Sequence, residues 1–329
     1  MLDGAWLMER LDAFMARANA AYYATRDPFA DFTTAPEISQ VFGELLGAWA
    51  VVAWRAMGAP GSFLLVEAGP GRGTLMADAL RLVARVAPDF AAALDLRLIE
   101  TSPRLAAILA ERLPQARLHA CLDDLPSGPM ILLANEFLDA LPIRQFVRRG
   151  GVWRERHVTE GAFRELGDLP LPWAGEEGAV RERGEAAEAF ASGVAARVAS
   201  QGGIALFLDY GPAESGEGDS LQALRAGRPA SPLAEPGTSD LTAHVDFAAI
   251  AAAALGAGAA VHGPVAQGVF LARLGLHQRA GALARRVTLA QAAAILQAAR
   301  RLAEPDGMGR LFKVLAVAHP ALPVPEGFA

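Results

Sequence analysis

The segment Glu67-Ala-Gly-Pro-Gly-Arg-Gly-Thr74 sets a carboxylate beside three glycines at alternate positions. Before it, Phe63-Leu64-Leu65-Val66 is an unbroken apolar run, which predicts a buried strand. A carboxylate that closes a strand, followed by a glycine turn into a helix, lets a ligand rest on bare backbone. That ligand sits at a helix N-terminus and next to a fixed negative charge. Two common ligands are excluded by the spacing. The dinucleotide pattern G-x-G-x-x-G needs glycine where Thr74 stands. A P-loop needs Gly-Lys-Ser/Thr, and the only lysine of the chain is Lys313. Glu67 repels a pyrophosphate and attracts a cation.

Further polar residues stand where other apolar runs stop. Glu100 follows Leu94–Ile99, Asp123 and Asp124 follow Arg117–His119, Asn135-Glu136 follows Met130–Ala134, and Asp209 follows Ile204–Leu208. Helical stretches, Leu75–Val86 and Thr101–Leu113, alternate with these runs. Strand-helix repetition of this kind predicts an α/β fold with a doubly wound parallel sheet. Ligands of such sheets bind beyond the carboxyl ends of the strands. Glu67, Glu100, Asp123, Asn135, Glu136 and Asp209 are therefore expected on one rim. Tyr23 lies in a polar and aromatic stretch that can face a ligand. Glu37 completes Thr34-Ala-Pro-Glu37, a capping box with Pro36 in the first turn, and can also face substrate. His244, flanked by Asp240 and Asp246, can accept a proton or simply bond a loop. Asp139 can orient a substrate or cap the turn before Leu141-Pro142.

These residues need a frame. Trp6–Ala24 has helical apolar spacing, and a second helix runs from Thr34 towards Gly58. Arg144–Arg149 and Val152–Val158 read as an antiparallel pair joined at Gly150-Gly151, followed by a Pro/Gly-rich linker, Gly167–Gly178, and a helix, Glu185–Ser200. Arg148, Arg149, Arg154 and Arg156 read as a solvated strand face. Ala213–Gly237 reads as a long loop. A helix, Leu289–Leu302, and a strand, Leu311–Val317, close the chain. The expected division is an N-terminal helical segment, 1–58; the first part of the ligand-binding domain, 59–140; an inserted lid or subdomain, 141–202; and the remainder, 203–329, with a substrate-side loop at 212–247.

The 329 residues are 53% hydrophobic and 20% charged, with formal net charge −6. That is an ordinary globular composition with ample core. The acidic balance argues against nucleic acid and anionic lipid as general partners. One cysteine and six scattered histidines leave no disulfide or multi-cysteine zinc site, so no metal is expected. The first twenty residues lack a basic leader and no apolar run is long enough to span a bilayer, which reads as cytoplasmic.

The glycine loop, Glu-x-Gly-x-Gly-x-Gly, resembles those of S-adenosylmethionine (SAM)-dependent methyltransferases, whose cofactor carries an ammonium and a sulfonium. Further segments make the resemblance specific: Thr34–Gly47, Glu67–Met76, Asn135-Glu-Phe-Leu-Asp-Ala-Leu-Pro142, Asp209-Tyr-Gly211, Gly237–Phe247 and Met308–Leu315. In the same order, they resemble the MidA family, whose mitochondrial members are complex I assembly-factor methyltransferases acting on a protein arginine. The resemblance implies a class I methyltransferase (Rossmann-like) fold and SAM as cofactor. Gly69, Gly71 and Gly73 are expected against its amino acid part and Glu67 near its ammonium. Glu100 is expected at the ribose hydroxyls, with Asp123 or Asp124 at the adenine amino group. Glu136 and Asp139 are candidates to orient a guanidinium, Asn135 to join them or to hold the ammonium, and Tyr23, Glu37 and Asp240 to line the substrate side. An arginine-bearing protein such as a complex I subunit is the implied partner. A small molecule, another protein side chain, a non-catalytic SAM-binding role and a homodimer stay open. One departure stands out. Asp27–Phe32 is shorter than the family's loop and lacks its glycines, which leaves substrate choice open.

Overall fold

A computed structural model of the chain describes residues 8–26 and 33–329. The Asp27–Phe32 loop, Trp6 and Leu7 lie outside the described residues. Seven strands form the central sheet: β1 (Phe63–Ala68), β2 (Leu94–Ile99), β3 (Arg117–His119), β4 (Met130–Asn135), β5 (Gly203–Tyr210), β6 (Ala260–Ala266) and β7 (Phe312–Ala318). Their order is β3-β2-β1-β4-β5-β7-β6. β7 runs antiparallel to both its neighbours, and the other pairs are parallel. This is the doubly wound α/β sheet that the alternation predicts. β1 has β2 on one side and β4 on the other, so the order reverses there and a crevice opens at their carboxyl ends.

The apolar runs are continuous because both faces of the sheet are covered. Phe63 and Leu65 enter one core with Leu46, Trp49 and Leu271; Leu64, Val66 and Ala68 enter the other with Val194, Val198 and Ile250. The main helices are α1 (Leu11–Thr25), α2 (Gln40–Ala56), α3 (Thr74–Val86), α4 (Pro103–Arg112), α5 (Glu185–Gln201) and α6 (Phe247–Gly256). α2 and α3 pack through glycine. A Cβ at Gly43 would lie 2.8 Å from Asp78 Cβ, and one at Gly47 2.8 Å from Ala79 Cα. Only bare backbone allows the two helices this approach.

Several local expectations are corrected. The first helix starts at Leu11, because Glu9 and Arg10 pair with Val158 and His157 as a strand edge. The second helix is broken at Ser39, which is extended and whose Oγ accepts from the Val41 N–H; Ala35–Ile38 is a separate turn. Thr34 makes no side-chain cap, so the expected capping box does not form. Pro88–Ala93 is a short helix of its own.

Within 141–202, strands Arg144–Arg149, Val152–Thr159, Ala162–Leu169 and Val180–Arg183 join Glu9–Arg10 in a five-stranded antiparallel sheet. Helix α5 instead packs on the central sheet. The four arginines are not one solvated face. Arg148 lies over the Trp153 ring at 5.6 Å, while Arg149, Arg154 and Arg156 pair with Glu165, Asp168 and Asp219 at 2.8, 3.0 and 2.8 Å. The Ala213–Gly237 stretch is not all loop: Gln222–Arg225 pairs with Arg228–Ala230 and with Asp240–Thr242. α1 packs against both small sheets through Leu11, Phe14, Met15 and Ala18, which cluster with Ile143, Val158 and Leu241.

Candidate active site

A cavity of about 570 Å³ lies at the carboxyl ends of β1, β2 and β4. Glu67, Gly69, Gly71, Glu100, Asn135 and Glu136 line it, with Tyr23 and Glu37. Gly73 does not. Its φ of +74° starts α3, and an added Cβ would meet Leu109 Cδ2 at 2.9 Å and Leu113 Cδ1 at 3.0 Å. Gly69, φ +66°, leaves room for the Phe137 ring, whose Cδ2 lies 2.8 Å from where a Cβ would sit.

Glu67 is buried at the end of β1. Its Oε2 has no hydrogen-bond partner among the described residues, and neither has the Oδ1 of buried Asn135 at the end of β4. Burial pushes the Glu67 carboxyl up to about 8. Two orphaned acceptors on adjacent strands are what an ammonium would satisfy. The chain therefore fits the amino acid end of SAM. Glu100 accepts from the Ser102 N–H at 2.7 Å, and burial raises its pKa above the ordinary carboxylate value. Glu100 lies in the cavity lining, as do Thr101 and Ser102. Asp123 is exposed and lies outside the cavity wall; Asp124 caps its own turn, accepting from Ala120 and Cys121 N–H at 3.3 Å each. At this end the cavity is lined instead by Ala120, Cys121 and Leu122.

Glu136 has φ +51°, a strained value for a side-chain-bearing residue. The turn is held from behind. Buried Asp209 Oδ2 accepts from the N–H groups of Phe137, Leu138 and Asp139 at 3.2, 2.9 and 3.2 Å. Asp209 thus braces the rim from beneath and does not line the cavity. Glu136 Oε1 accepts from the Ala35 N–H at 2.9 Å and from Asn135 Nδ2 at 3.1 Å; its other oxygen accepts from no described residue. Burial pushes Glu136 up to about 7, against these two donors. Ala35 belongs to the same turn as Glu37, and both carboxylates line the cavity. Glu37 does not cap its helix; its Oε1 accepts from Thr74 Oγ1 at 2.5 Å.

The remaining predicted residues stand behind or away from the wall. Asp139 is buried, outside the cavity lining, and burial with the nearby Glu136 charge pushes it up to about 7. Buried Asp240 accepts from the Tyr23 hydroxyl at 2.8 Å. His244 is not brought to the cavity: it is exposed, edge-on to Tyr210 at 5.5 Å. No group of three or more His, Cys, Asp or Glu side chains among the described residues could hold a metal ion.

Sequence reasoning passed over Asn19, and read Ser102 only as part of the start of the helix after Glu100, where its Oγ does accept from the Leu105 N–H. Asn19 is buried on α1, donates to Leu241 O at 2.8 Å and Ala140 O at 3.0 Å, and accepts from Leu241 N–H at 3.0 Å. Ser102 Oγ donates to Tyr23 O at 2.7 Å. Together they fasten α1 over the cavity. Asn19 left a signal: it falls on the buried stripe Leu11, Met15, Ala18, Tyr22, where a polar residue needs partners. Phe137 and Phe190, with ring centroids 4.8 Å apart, add an apolar wall.

Residues 45–265 match the family model described as "Putative S-adenosyl-L-methionine-dependent methyltransferase". The chain belongs to this family.

The methyltransferase is 35% identical over 355 residues to the Drosophila melanogaster "Protein arginine methyltransferase NDUFAF7 homolog, mitochondrial", covering 94% of this chain and 80% of that protein. To the Homo sapiens protein arginine methyltransferase NDUFAF7, mitochondrial, it is 32% identical, covering 90% and 76%. It is also similar to a Burkholderia thailandensis protein solved with S-adenosyl-homocysteine bound. That match has 28% identity and a TM-score of 0.78, covering 99% of this chain and 91% of that one. The enzyme thus uses SAM in a class I methyltransferase fold. The cytoplasmic expectation is overturned: these relatives are mitochondrial by name. No helix among the described residues is long and apolar enough to cross a membrane.

Proposed function

We propose that this enzyme methylates a guanidinium nitrogen of a protein arginine, with a respiratory complex I subunit as the acceptor class. The observation that carries the reading is the Glu136 carboxyl in the cavity wall, held by the Ala35 N–H at 2.9 Å, in a cavity that Glu37 also lines. Paired carboxylates bind a guanidinium through parallel charge-assisted hydrogen bonds. The names of the relatives support the same acceptor.

Bound SAM supplies a methyl group on a sulfonium, already a good leaving group. The chain's own residues then have to position and discharge the acceptor. An arginine arrives charged, with a pKa of about 12.5–13.8, and is a poor nucleophile. Glu136 and Glu37 orient it and offset its charge. The attacked nitrogen loses one proton as it gains the methyl. Glu136, held near 7, is placed to accept that proton. Asp240 orients Tyr23 at the wall. His244 has no part in this arrangement.

Glu136→Ala tests the reading. Turnover should vanish, read by mass spectrometry of arginine-containing proteins incubated with SAM. Calorimetric affinity for S-adenosyl-homocysteine should stay within about three-fold, less than 1 kcal/mol. Equal loss of both would make Glu136 a cofactor or folding residue. Methyl groups found on a small molecule or another side chain would replace the arginine acceptor.

A further inference from the structure

Some arginines of this chain are neutralised at the surface: Arg149 by Glu165 at 2.8 Å, Arg154 by Asp168 at 3.0 Å, Arg225 by Glu235 at 2.6 Å. The stretch from 285 to 313 concentrates charge of one sign. It carries six basic side chains, Arg285, Arg286, Arg300, Arg301, Arg310 and Lys313, against two acidic ones, Glu304 and Asp306, in a chain of net charge −6. All five arginines are exposed, and none has an ion-pair partner within 4.0 Å among the described residues.

Apolar surface lies among these charges. Leu289 is 90% exposed, Leu296 41% and Leu311 47%. On the helix Leu289–Ala303, Leu289, Ala293, Leu296 and Arg300 follow helical spacing along one flank, while Ala299 and Leu302 are buried on the other. The helix touches the Ala35–Ile38 turn, which carries Glu37 and donates to Glu136. The ridge therefore reaches the turn whose Pro36 and Glu37 line the cavity.

We propose that this ridge docks an acidic, amphipathic segment of the protein substrate, at a distance from the arginine that enters the cavity. The proposal rests on the protein-arginine reading above. Charge decides the occupant. The ridge repels a basic segment, so it cannot be the seat of the methylated arginine itself. An acidic segment meets unpaired guanidiniums that form bidentate contacts, and its apolar face covers Leu289 and Leu296.

Fluorescence anisotropy of the full chain with a labelled Glu/Leu-rich peptide lacking arginine is the test. The peptide should bind, more weakly as salt rises. Arg285→Glu/Arg300→Glu and, separately, Leu289→Ser/Leu296→Ser should each weaken it by about ten-fold, or 1.4 kcal/mol. Affinity for S-adenosyl-homocysteine and the melting temperature of both variants should not move. Equal binding of a Lys/Leu-rich peptide would overturn the proposal, as would indifference to both variants. So would vesicles of phosphatidylglycerol, or a dimer of this chain, being what the variants lose. Because the probe has no arginine, failure here leaves the methylation reading to its own test. Methylation of arginine peptides without an acidic segment probes that reading alone.

Discussion

Glu67 Oε2 and Asn135 Oδ1 end neighbouring parallel strands, both buried and both without a hydrogen-bond partner among the described residues. A folded chain tolerates such a pair when a ligand supplies the missing donor. Glu67→Gln is expected to weaken S-adenosyl-homocysteine binding by roughly 10- to 100-fold, the range of a charged hydrogen bond at about 1.5–3 kcal/mol. Titration calorimetry reads this directly. The ligand-free variant should melt higher than the parent above pH 8, because no buried charge remains.

The same carboxyl makes binding pH-dependent. Burial pushes Glu67 up to about 8, against an ordinary value of about 4.3. The folded chain keeps a proton that the unfolded chain has lost, so this contribution to stability is full below about pH 4 and is lost as pH rises to about 8. An ammonium displaces that proton. Ligand affinity should therefore rise from pH 6 to about 8, where an α-amino group begins to lose its own charge. Glu67→Gln should flatten the rise.

Turnover should follow a second, distinct limb. Glu136 must be ionised to accept from a guanidinium, and it sits near 7, so the rate should rise with pH through about 7. Asp139 also sits near 7 and interacts with Glu136, so the limb belongs to the pair. Asp139→Asn removes the neighbouring negative charge and should move the limb to lower pH. An unchanged pH-rate profile in that variant would separate the two groups.

Gly47→Ala should cost about 1–3 kcal/mol through overpacking. The new Cβ would stand 2.8 Å from Ala79 Cα, whereas Gly61 has nothing within 4 Å and its alanine variant should be near neutral. Urea denaturation of the two variants gives the comparison.

Asp209→Ala should strip three N–H groups, Phe137 to Asp139, of their acceptor. The expected loss is a few kcal/mol, at about 1–3 kcal/mol for each buried donor left unpaired. Amide exchange at these three positions should accelerate, and turnover should fall further than cofactor affinity. The measurement tells a brace for the Glu136 turn from a general core defect.

Much of the frame was legible locally. Strands β1, β2 and β4 were readable within a residue or so, because a strand buried on both faces is a continuous apolar run. Glu67, Glu100, Asn135 and Glu136 were legible for a related reason. Polar residues that stop such runs are forced to the carboxyl rim. Asp123 looked the same in the chain, yet the turn Leu122–Asp124 carries it away from the cavity wall. Glu37 showed the opposite failure. Its capping pattern was present, but Thr74 took its carboxylate.

By itself, the order of residues determined the strand-helix alternation, the glycine turn after Glu67 and the chemistry of the cofactor it favours, since each depends on neighbours a few positions apart. Only the folded chain decided that Gly43 and Gly47 draw α2 onto α3, that Asn19 fastens α1 over the cavity, and that the Ala35 N–H holds Glu136. It also decided that His244 faces away. Such contacts join residues up to 222 positions apart, as from Asn19 to Leu241. Hydrogen bonds and close packing depend on distance in space, which no local spacing of residue types encodes.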